Sequence, residues 1–157
     1  MAEPAATVTH LLDTDHISVL FDGRGPAFDI LAGRLAAADG SPVRFAFSVV
    51  SFEEQVGGAL ALLKGRGPGP RVMLGYSLLD RYLALYRRAV VLPFDAAAAA
   101  EFNRLNGEPG VRRVGTQDLR IASVALANGL TLLTRNAKDF ARVPGLAFED
   151  WTAPAAD

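Results

Sequence analysis

Residues 118–136 read DLRIASVALANGLTLLTRN, and we predict a helix over 118–128 followed almost at once by a strand over 130–134. The helix rises about 16 Å at 1.5 Å per residue. The strand returns about 16 Å at 3.3 Å per residue. Because the two lengths cancel, Asn136 is expected to arrive beside Asp118.

The rest of the chain shows the same alternation of strands and helices. Further strands are predicted at 8–12, 43–50, 89–92 and 146–148. Helices are predicted at 14–22, 28–38, 51–64, 71–88 and 95–105, with a helical turn at 136–140. Strands that alternate with helices indicate an α/β domain with a parallel sheet covered on both faces.

Two of these helices carry more detailed expectations. Ser51 is a candidate N-cap for the third helix, with Glu54 three residues later, which is the pattern of a capping box. In the long amphipathic helix 71–88 the predicted core residues are Val72, Leu74, Leu78, Leu79, Leu83 and Leu85. The glycine-rich stretch 65–70 is interpreted as a connector, because no phosphate-loop motif follows it.

Length and composition limit the possible functions. The chain has 157 residues, no cysteine and a formal net charge of −1. We therefore expect one domain over 8–151, with a flexible N-terminus (1–7) and a flexible tail (152–157). The absence of cysteine excludes disulfides and thiolate metal sites and fits a cytoplasmic protein. Neither a membrane span nor a secretory signal is expected.

Acidic and amide side chains follow the predicted strands, where ligands bind in open parallel sheets. Asp13 directly follows the first strand, Glu54 follows the second, Asp118 begins a helix and Asn136 follows the strand 130–134. Taken singly, each carboxylate could stabilise a helix N-terminus. Together they repel one another by about 4 kcal/mol per close pair. Oxygen ligands without cysteine favour Mg²⁺, with Mn²⁺ able to substitute.

A divalent ion held by carboxylates points to hydrolysis of phosphate esters by a metal-activated water. Serine-hydrolase and zinc-protease motifs are absent, and the chain has two histidines. One of them, His16, lies one short turn after Asp13. It either faces the cleft or is only a helix-surface or packing residue, and the second interpretation is favoured.

Four stretches occur in an order typical of a known family: LLDTDHIS (11–18), SVVSFEEQ (48–55), DLRIA (118–122) and LLTRNAKDF (132–140). Together they resemble the PIN-domain ribonucleases, specifically the VapC-type toxins of bacterial toxin–antitoxin pairs. The resemblance extends over about 11–151. It implies a three-layer α/β/α fold with a central, mostly parallel sheet of four to five strands. It also implies a Mg²⁺-dependent endoribonuclease.

The resemblance also implies roles for individual residues. Asp13, Glu54 and Asp118 correspond to the metal-binding and catalytic acids, with Glu53 the rival of Glu54. Asn136 stands at a fourth catalytic position that is often aspartate, so the number of metal ions stays open. The supporting residues implied are Thr14, Asp15, Thr134 and Asp139.

Three kinds of partner follow from the resemblance. The substrate is RNA, contacted by cations near the third and fourth stretches: Arg112, Arg113, Arg120, Arg135 and Lys138. The second partner is a VapB-type antitoxin, which could insert an arginine among the carboxylates. The third is a second copy of the chain, with the apolar faces of 28–38 and 59–63 as candidate dimer interfaces.

Two alternatives remain open at this point. A phosphohydrolase of the haloacid-dehalogenase type would use Asp13-Thr14-Asp15, but Ile17 stands where that class has Thr or Val, and Asp118 has no acidic neighbour. A PIN-like module that binds RNA or protein without cleaving would keep the fold and lack activity.

Overall fold

Strands and helices alternate through the part of the chain that the computed structural model describes, residues 7–40, 44–65 and 67–154. The strands are β1 (His10–Leu12), β2 (Phe45–Ser48), β3 (Val91–Leu92), β4 (Thr131–Leu133) and β5 (Phe148–Glu149). The α-helices are α1 (Thr14–Asp22), α2 (Pro26–Ala37), α3 (Val49–Leu62), α4 (Pro70–Tyr86), α5 (Ala96–Asn106), α6 (Thr116–Ala127) and α7 (Ala137–Phe140). A short 3₁₀ helix (Pro109–Arg113) lies in the predicted loop between α5 and α6.

The five strands form one sheet in the order β3-β2-β1-β4-β5. Every neighbouring pair is parallel. This confirms the predicted α/β/α fold with a parallel central sheet. Strand β1 lies in the middle, between β2 and β4, so the residues that follow it come to the centre of the sheet edge.

Neighbouring residues of the central strands face opposite helix layers, because side chains alternate along a strand. Leu11, Ala46 and Leu132 pack with residues of α5 and α6. Leu12, Phe47 and Leu133 pack with residues of α1 and α4. Both faces of the sheet are therefore apolar and covered, as a parallel sheet requires.

Helix α3 begins at Val49, two residues before the predicted start, and the capping box at Ser51 is wrong. Ser48, the last residue of β2, is the N-cap, and its Oγ accepts a hydrogen bond from the Ser51 backbone N–H over 3.1 Å. The chain thus passes from strand to helix without a loop. Glu54 is consequently not a capping residue.

The predicted core of α4 is wrong at two positions, since Leu74 and Leu83 are 52% and 57% exposed. The helix approaches α3 at Gly75 instead, where an added Cβ would lie 2.6 Å from a methyl of Leu63. This close contact sets which side of α4 is covered. Tyr86 is buried, whereas Met73 and Tyr76 are exposed.

The packed domain continues past the predicted end at residue 151. Thr152 is buried, and both its backbone N–H and its hydroxyl donate to Asp150 Oδ1. The Arg34 side chain of α2 donates to the carbonyl oxygens of Asp150 and Ala153. Residues 1–6 and 155–157, on which most of the predicted flexible ends fall, lie outside the described residues.

Candidate active site

Strands β1 and β4 end side by side, and the polar residues that follow them therefore meet at one edge of the sheet. Leu12 pairs with Leu133, and the Asp13 N–H donates to the Leu133 carbonyl oxygen over 3.0 Å. A cleft of about 380 Å³ opens at this edge. Its lining residues are Asp13, Thr14, Asp15, Ser18, Val19, Asp22, Glu54, Asp118, Arg135 and Asn136.

Asp13 is the most buried carboxylate of the cleft, at 5% exposure. It caps α1, where its Oδ1 accepts the His16 backbone N–H over 3.0 Å. Burial raises the pKa of Asp13 to about 6; the charge of Asp15 acts in the same direction, and hydrogen bonds from His16 and Thr134 oppose it. The fold therefore leaves much of the charge of this carboxylate uncompensated.

Adjacent positions of α3 direct their carboxylates differently. Glu54 lines the cleft and accepts a hydrogen bond from the Thr14 hydroxyl. Glu53 is exposed and accepts a hydrogen bond from the Gln117 side chain. The structure thus brings Glu54, rather than Glu53, to the cleft with Asp13.

Asn136 joins two carboxylates from different elements, and it meets Asp118 as the matched lengths of the predicted helix 118–128 and strand 130–134 indicate. Its Nδ2 donates to Asp118 Oδ2 over 3.3 Å and to Asp139 Oδ2 over 3.0 Å. Its backbone N–H donates to the hydroxyl of Thr134, which is fully buried. Burial raises the pKa of Asp118, and the charges of Glu54 and Asp139 raise it further.

The five cations expected to contact RNA occupy different positions. Arg135 lines the cleft. Arg120 donates to Gln117 Oε1 over 2.8 Å. Arg112 and Arg113 are exposed on the 3₁₀ helix, and Lys138 is exposed on α7. The structure therefore places one of these five among the residues that line the cleft.

The first turns of α1 contribute more to the cleft than sequence reasoning anticipated. Ser18, Val19 and Asp22 also line it. Their spacing from Asp15 is three, four and seven residues, which is the pattern of one helix face and could have identified them.

His16 is fully buried, as the packing interpretation expected, but it is also bonded to the acidic cluster. Its Nδ1 lies 2.9 Å from Asp15 Oδ1 and 3.6 Å from Asp13 Oδ1. Burial opposes protonation of His16, but the two carboxylates outweigh it and raise its pKa to about 9.

The donor set of the cleft fits a hard divalent cation. Asp13, Glu54 and Asp118 supply carboxylate oxygens from three elements, and the pKa values of Asp13 and Asp118 are raised by burial and, to a smaller extent, by neighbouring carboxylates. Asp13, Asp15 and His16 also offer ligand atoms that lie within 4.8 Å of one another. Oxygen-rich groups of this kind are typical of Mg²⁺ and Mn²⁺ sites.

Fold and cleft together define an α/β/α domain whose carboxylates converge at the end of a parallel sheet. The sequence profile of the PIN domain matches residues 11–146, and the chain therefore belongs to the PIN-domain family. The chain is 42% identical over 67 residues to the tRNA(fMet)-specific endonuclease VapC of Shigella flexneri. It is 36% identical over 77 residues to ribonuclease VapC2 of Rickettsia felis. These matches cover 41% and 48% of this chain and about half the length of each relative, 51% and 55%.

Solved structures of toxin–antitoxin proteins share the fold over nearly the whole chain. VapBC-1 of nontypeable Haemophilus influenzae superposes with a TM-score of 0.74 at 24% identity, covering 94% of this chain and 100% of that one. DNA-bound VapBC of Salmonella typhimurium gives a TM-score of 0.73 at 24% identity, covering 92% and 99%. At this identity the likeness establishes the fold.

Proposed function

We propose that this protein is a Mg²⁺-dependent endoribonuclease that acts as the toxin of a toxin–antitoxin pair. The observation that carries the proposal is the convergence of Asp13, Glu54, Asp118 and Asn136 on one cleft. These residues come from four separate parts of a PIN-domain chain. The curated relatives are named as nucleases, which agrees with the chemistry of these groups.

Each residue of the cleft has a role that follows from its contacts. Asp13, Glu54 and Asp118 would hold Mg²⁺, and Asn136 holds Asp118 and Asp139 in place through its amide group. Mg²⁺, when bound, would neutralise the phosphate charge and activate the attacking water. Thr14 fixes the Glu54 carboxylate. Asp139 adds negative charge beside Asp118.

Binding of RNA to this cleft needs a cation that offsets the carboxylates. Arg135 lies among them and can pair with a backbone phosphate. The exposed Arg112, Arg113 and Lys138 can extend phosphate contacts beyond the cleft. This arrangement provides affinity for RNA without determining its sequence.

A VapB-type antitoxin is the proposed regulator of the cytoplasmic enzyme. The structural relatives are VapBC complexes, so the same fold is found with such partners. A carboxylate cluster that lacks its metal suits an inserted arginine, whose guanidinium pairs with two carboxylate oxygens. Among the described residues no helix is both long and apolar enough to cross a bilayer.

A homodimer is proposed from the apolar surface that α3, α4 and β3 leave uncovered. Leu60, Leu74, Leu83 and Val91 are all at least 37% exposed. Leu60 belongs to the face 59–63 expected as an interface. The substitution Leu83→Glu should shift the protein from dimer to monomer in sedimentation-velocity runs. The proposal fails if the wild-type chain is already monomeric at micromolar concentration.

RNA cleavage by the purified, antitoxin-free protein tests the proposed activity. We expect discrete cleavage of total bacterial RNA with Mg²⁺, and none with EDTA or with Asp118→Asn. Glu53→Gln is the matched control, because Glu53 is an acid one residue from the cleft whose carboxylate faces Gln117. A folded wild-type protein that binds RNA and leaves it intact with both Mg²⁺ and Mn²⁺ would support the non-cleaving module instead.

The haloacid-dehalogenase alternative has no specific observation in its favour. The chain belongs to the PIN-domain family. The described residues that line the cleft include no lysine, which that chemistry needs.

A further inference from the structure

His16 connects the cleft to the C-terminal segment of the domain. Its imidazole is fully buried in the first turn of α1. Nδ1 lies 2.9 Å from Asp15 Oδ1, and Nε2 accepts the backbone N–H of Trp151 over 3.2 Å. Because Nε2 is the acceptor, the proton of the neutral ring is on Nδ1, which makes His16 a donor to Asp15.

The C-terminal segment 150–153, which contains Trp151, is held by contacts outside the cleft. Arg34 donates to the carbonyl oxygens of Asp150 and Ala153 over 3.0 and 2.9 Å. The Trp151 ring packs against the rings of Phe45 and His10, with centroids 5.5 and 5.3 Å apart. The Trp151 N–H is therefore at a fixed place that does not depend on a bound metal.

The Asp15 carboxylate needs a hydrogen-bond donor to hold it in the cleft, because it is partly exposed and lies near another carboxylate. Its side chain is 39% exposed, so it can rotate into solvent. The nearby Asp13 charge repels it. A buried donor on a fixed ring opposes that rotation and keeps the Asp15 carboxylate close to Asp13 in the cleft.

We infer that His16 is a positioning residue that holds the Asp15 carboxylate toward the metal-binding acids, with its ring oriented by the Trp151 backbone N–H. The inference rests on the proposed metal-dependent function. It adds Asp15 to the carboxylates that would hold the cation and gives His16 the role of supporting the Asp15 carboxylate through a hydrogen bond. Groups behind metal ligands commonly change metal affinity by about 10- to 100-fold.

The contact of His16 with Asp15 is the same in the neutral and the charged ring, whereas the contact with the Trp151 N–H requires the neutral ring. In the neutral ring with the proton on Nδ1, and equally in the charged ring, Nδ1–H donates to Asp15. The two forms differ at Nε2, where a second proton would face the Trp151 N–H. A bound cation would also offset the carboxylate charge that favours the charged ring.

Two substitutions separate the two contacts of His16. The amide nitrogen of Asn stands where Nδ1 does, so His16→Asn can still donate to Asp15 but loses Trp151. The amide oxygen of Gln reaches the place of Nε2, so His16→Gln can still accept from Trp151 but loses Asp15. Each variant loses one of the two hydrogen bonds of the buried His16 side chain. If His16 contributed only to stability, both variants would change Mn²⁺ binding to a similar extent.

The primary measurement is Mn²⁺ affinity, read by electron paramagnetic resonance in the absence of RNA. We expect His16→Gln and Asp15→Asn to weaken binding about 10-fold or more, and His16→Asn to stay within about 3-fold of wild type. The double variant His16→Gln/Asp15→Asn should bind Mn²⁺ no more weakly than Asp15→Asn, because the two substitutions remove the same contact between His16 and Asp15. Asp95→Asn replaces an N-cap carboxylate outside the cleft and should leave Mn²⁺ binding unchanged.

The outcomes distinguish this inference from the proposed function. Equal losses in His16→Asn and His16→Gln, or wild-type Mn²⁺ binding by Asp15→Asn, would overturn the positioning role. If both His16 variants fail to fold, Asp15→Asn decides, because Asp15 is partly exposed. A protein that shows the expected Mn²⁺ pattern and cleaves no RNA would contradict the proposed nuclease and leave the positioning role standing. A wild-type protein that binds no Mn²⁺ would overturn both.

Discussion

Replacing Asp13 by Asn should make the metal-free protein more stable. Asp13 is 5% exposed, and burial together with the charge of Asp15 raises its pKa even though the His16 ring lies 3.6 Å from its Oδ1. The amide of Asn keeps an oxygen that can cap α1 at the His16 N–H, and Asn and Asp are similarly good N-caps. The substitution therefore removes a buried charge while preserving the cap.

The size of the effect follows from the pKa of Asp13. The carboxyl titrates near 6 in the folded protein instead of at 3.8. At 1.36 kcal/mol per pH unit, the ionised form is destabilised by about 3 kcal/mol relative to the unfolded chain. Some of this gain is lost because the new amide N–H groups need acceptors. We expect a net increase of about 1–3 kcal/mol in the free energy of unfolding at pH 7.5.

The gain in the free energy of unfolding caused by Asp13→Asn should become smaller as the pH falls. The pKa of Asp13 is higher in the folded than in the unfolded wild-type protein, so the folded protein binds a proton at Asp13 first as the pH falls through about 6. The contribution of Asp13 to the stability of the fold therefore becomes more favourable at lower pH. The advantage of Asp13→Asn should accordingly shrink toward zero near pH 4.

Urea denaturation of the metal-free proteins at pH 7.5 and near pH 4 measures the difference. Asp95→Asn is the matched control, because Asp95 caps α5 at the Ala98 N–H in the same way but is exposed and outside the cleft. Its effect should stay within about 0.5 kcal/mol. A destabilised Asp13→Asn at pH 7.5, or a gain that persists undiminished near pH 4, would refute the reasoning.

Three further outcomes are expected. Glu54→Gln should reduce RNA cleavage at least about 100-fold, whereas Glu53→Gln should cleave as wild type; equal rates in gel assays would contradict the assignment of Glu54 to the cleft. Mn²⁺ affinity should fall as pH drops below about 6, because protons compete for Asp13; titrations at pH 5 and 7.5 that give the same affinity would argue against Asp13 as a ligand. Tyr86→Phe should cost about 1–3 kcal/mol in urea denaturation, since the buried Tyr86 hydroxyl donates to Gln55 over 2.7 Å; an unchanged midpoint would mean that Gln55 finds another donor.

The edge placement of the acids could be predicted because it depends on lengths alone. A helix and a strand of equal length must bring Asn136 back to Asp118, and the structure joins them at 3.3 Å. The parallel order of strands then places Asp13 beside them. What lengths could not decide was the direction of individual side chains, such as Glu53 against Glu54, which depends on where α3 begins.

The remaining errors have a common physical origin. The sequence pattern around Ser51 and Glu54 predicts Ser51 as the N-cap of α3, whereas the structure has Ser48, the last residue of β2, at this position. Leu74 and Leu83 were assigned to the core because apolar spacing does not distinguish the face that meets α3 from the face that is left uncovered. The close approach at Gly75 made that choice.

The sequence by itself determined the α/β alternation, the parallel sheet and the set of oxygen-bearing residues at its edge. These depend on local hydrophobic patterning and on element lengths, which neighbouring residues fix. Only the tertiary structure decided that Glu54 rather than Glu53 enters the cleft, and which contacts hold the carboxylates there. The hydrogen bond between Trp151 and His16 joins residues 135 positions apart, and contacts over such separations exist only once the sheet has brought the two ends of the domain together.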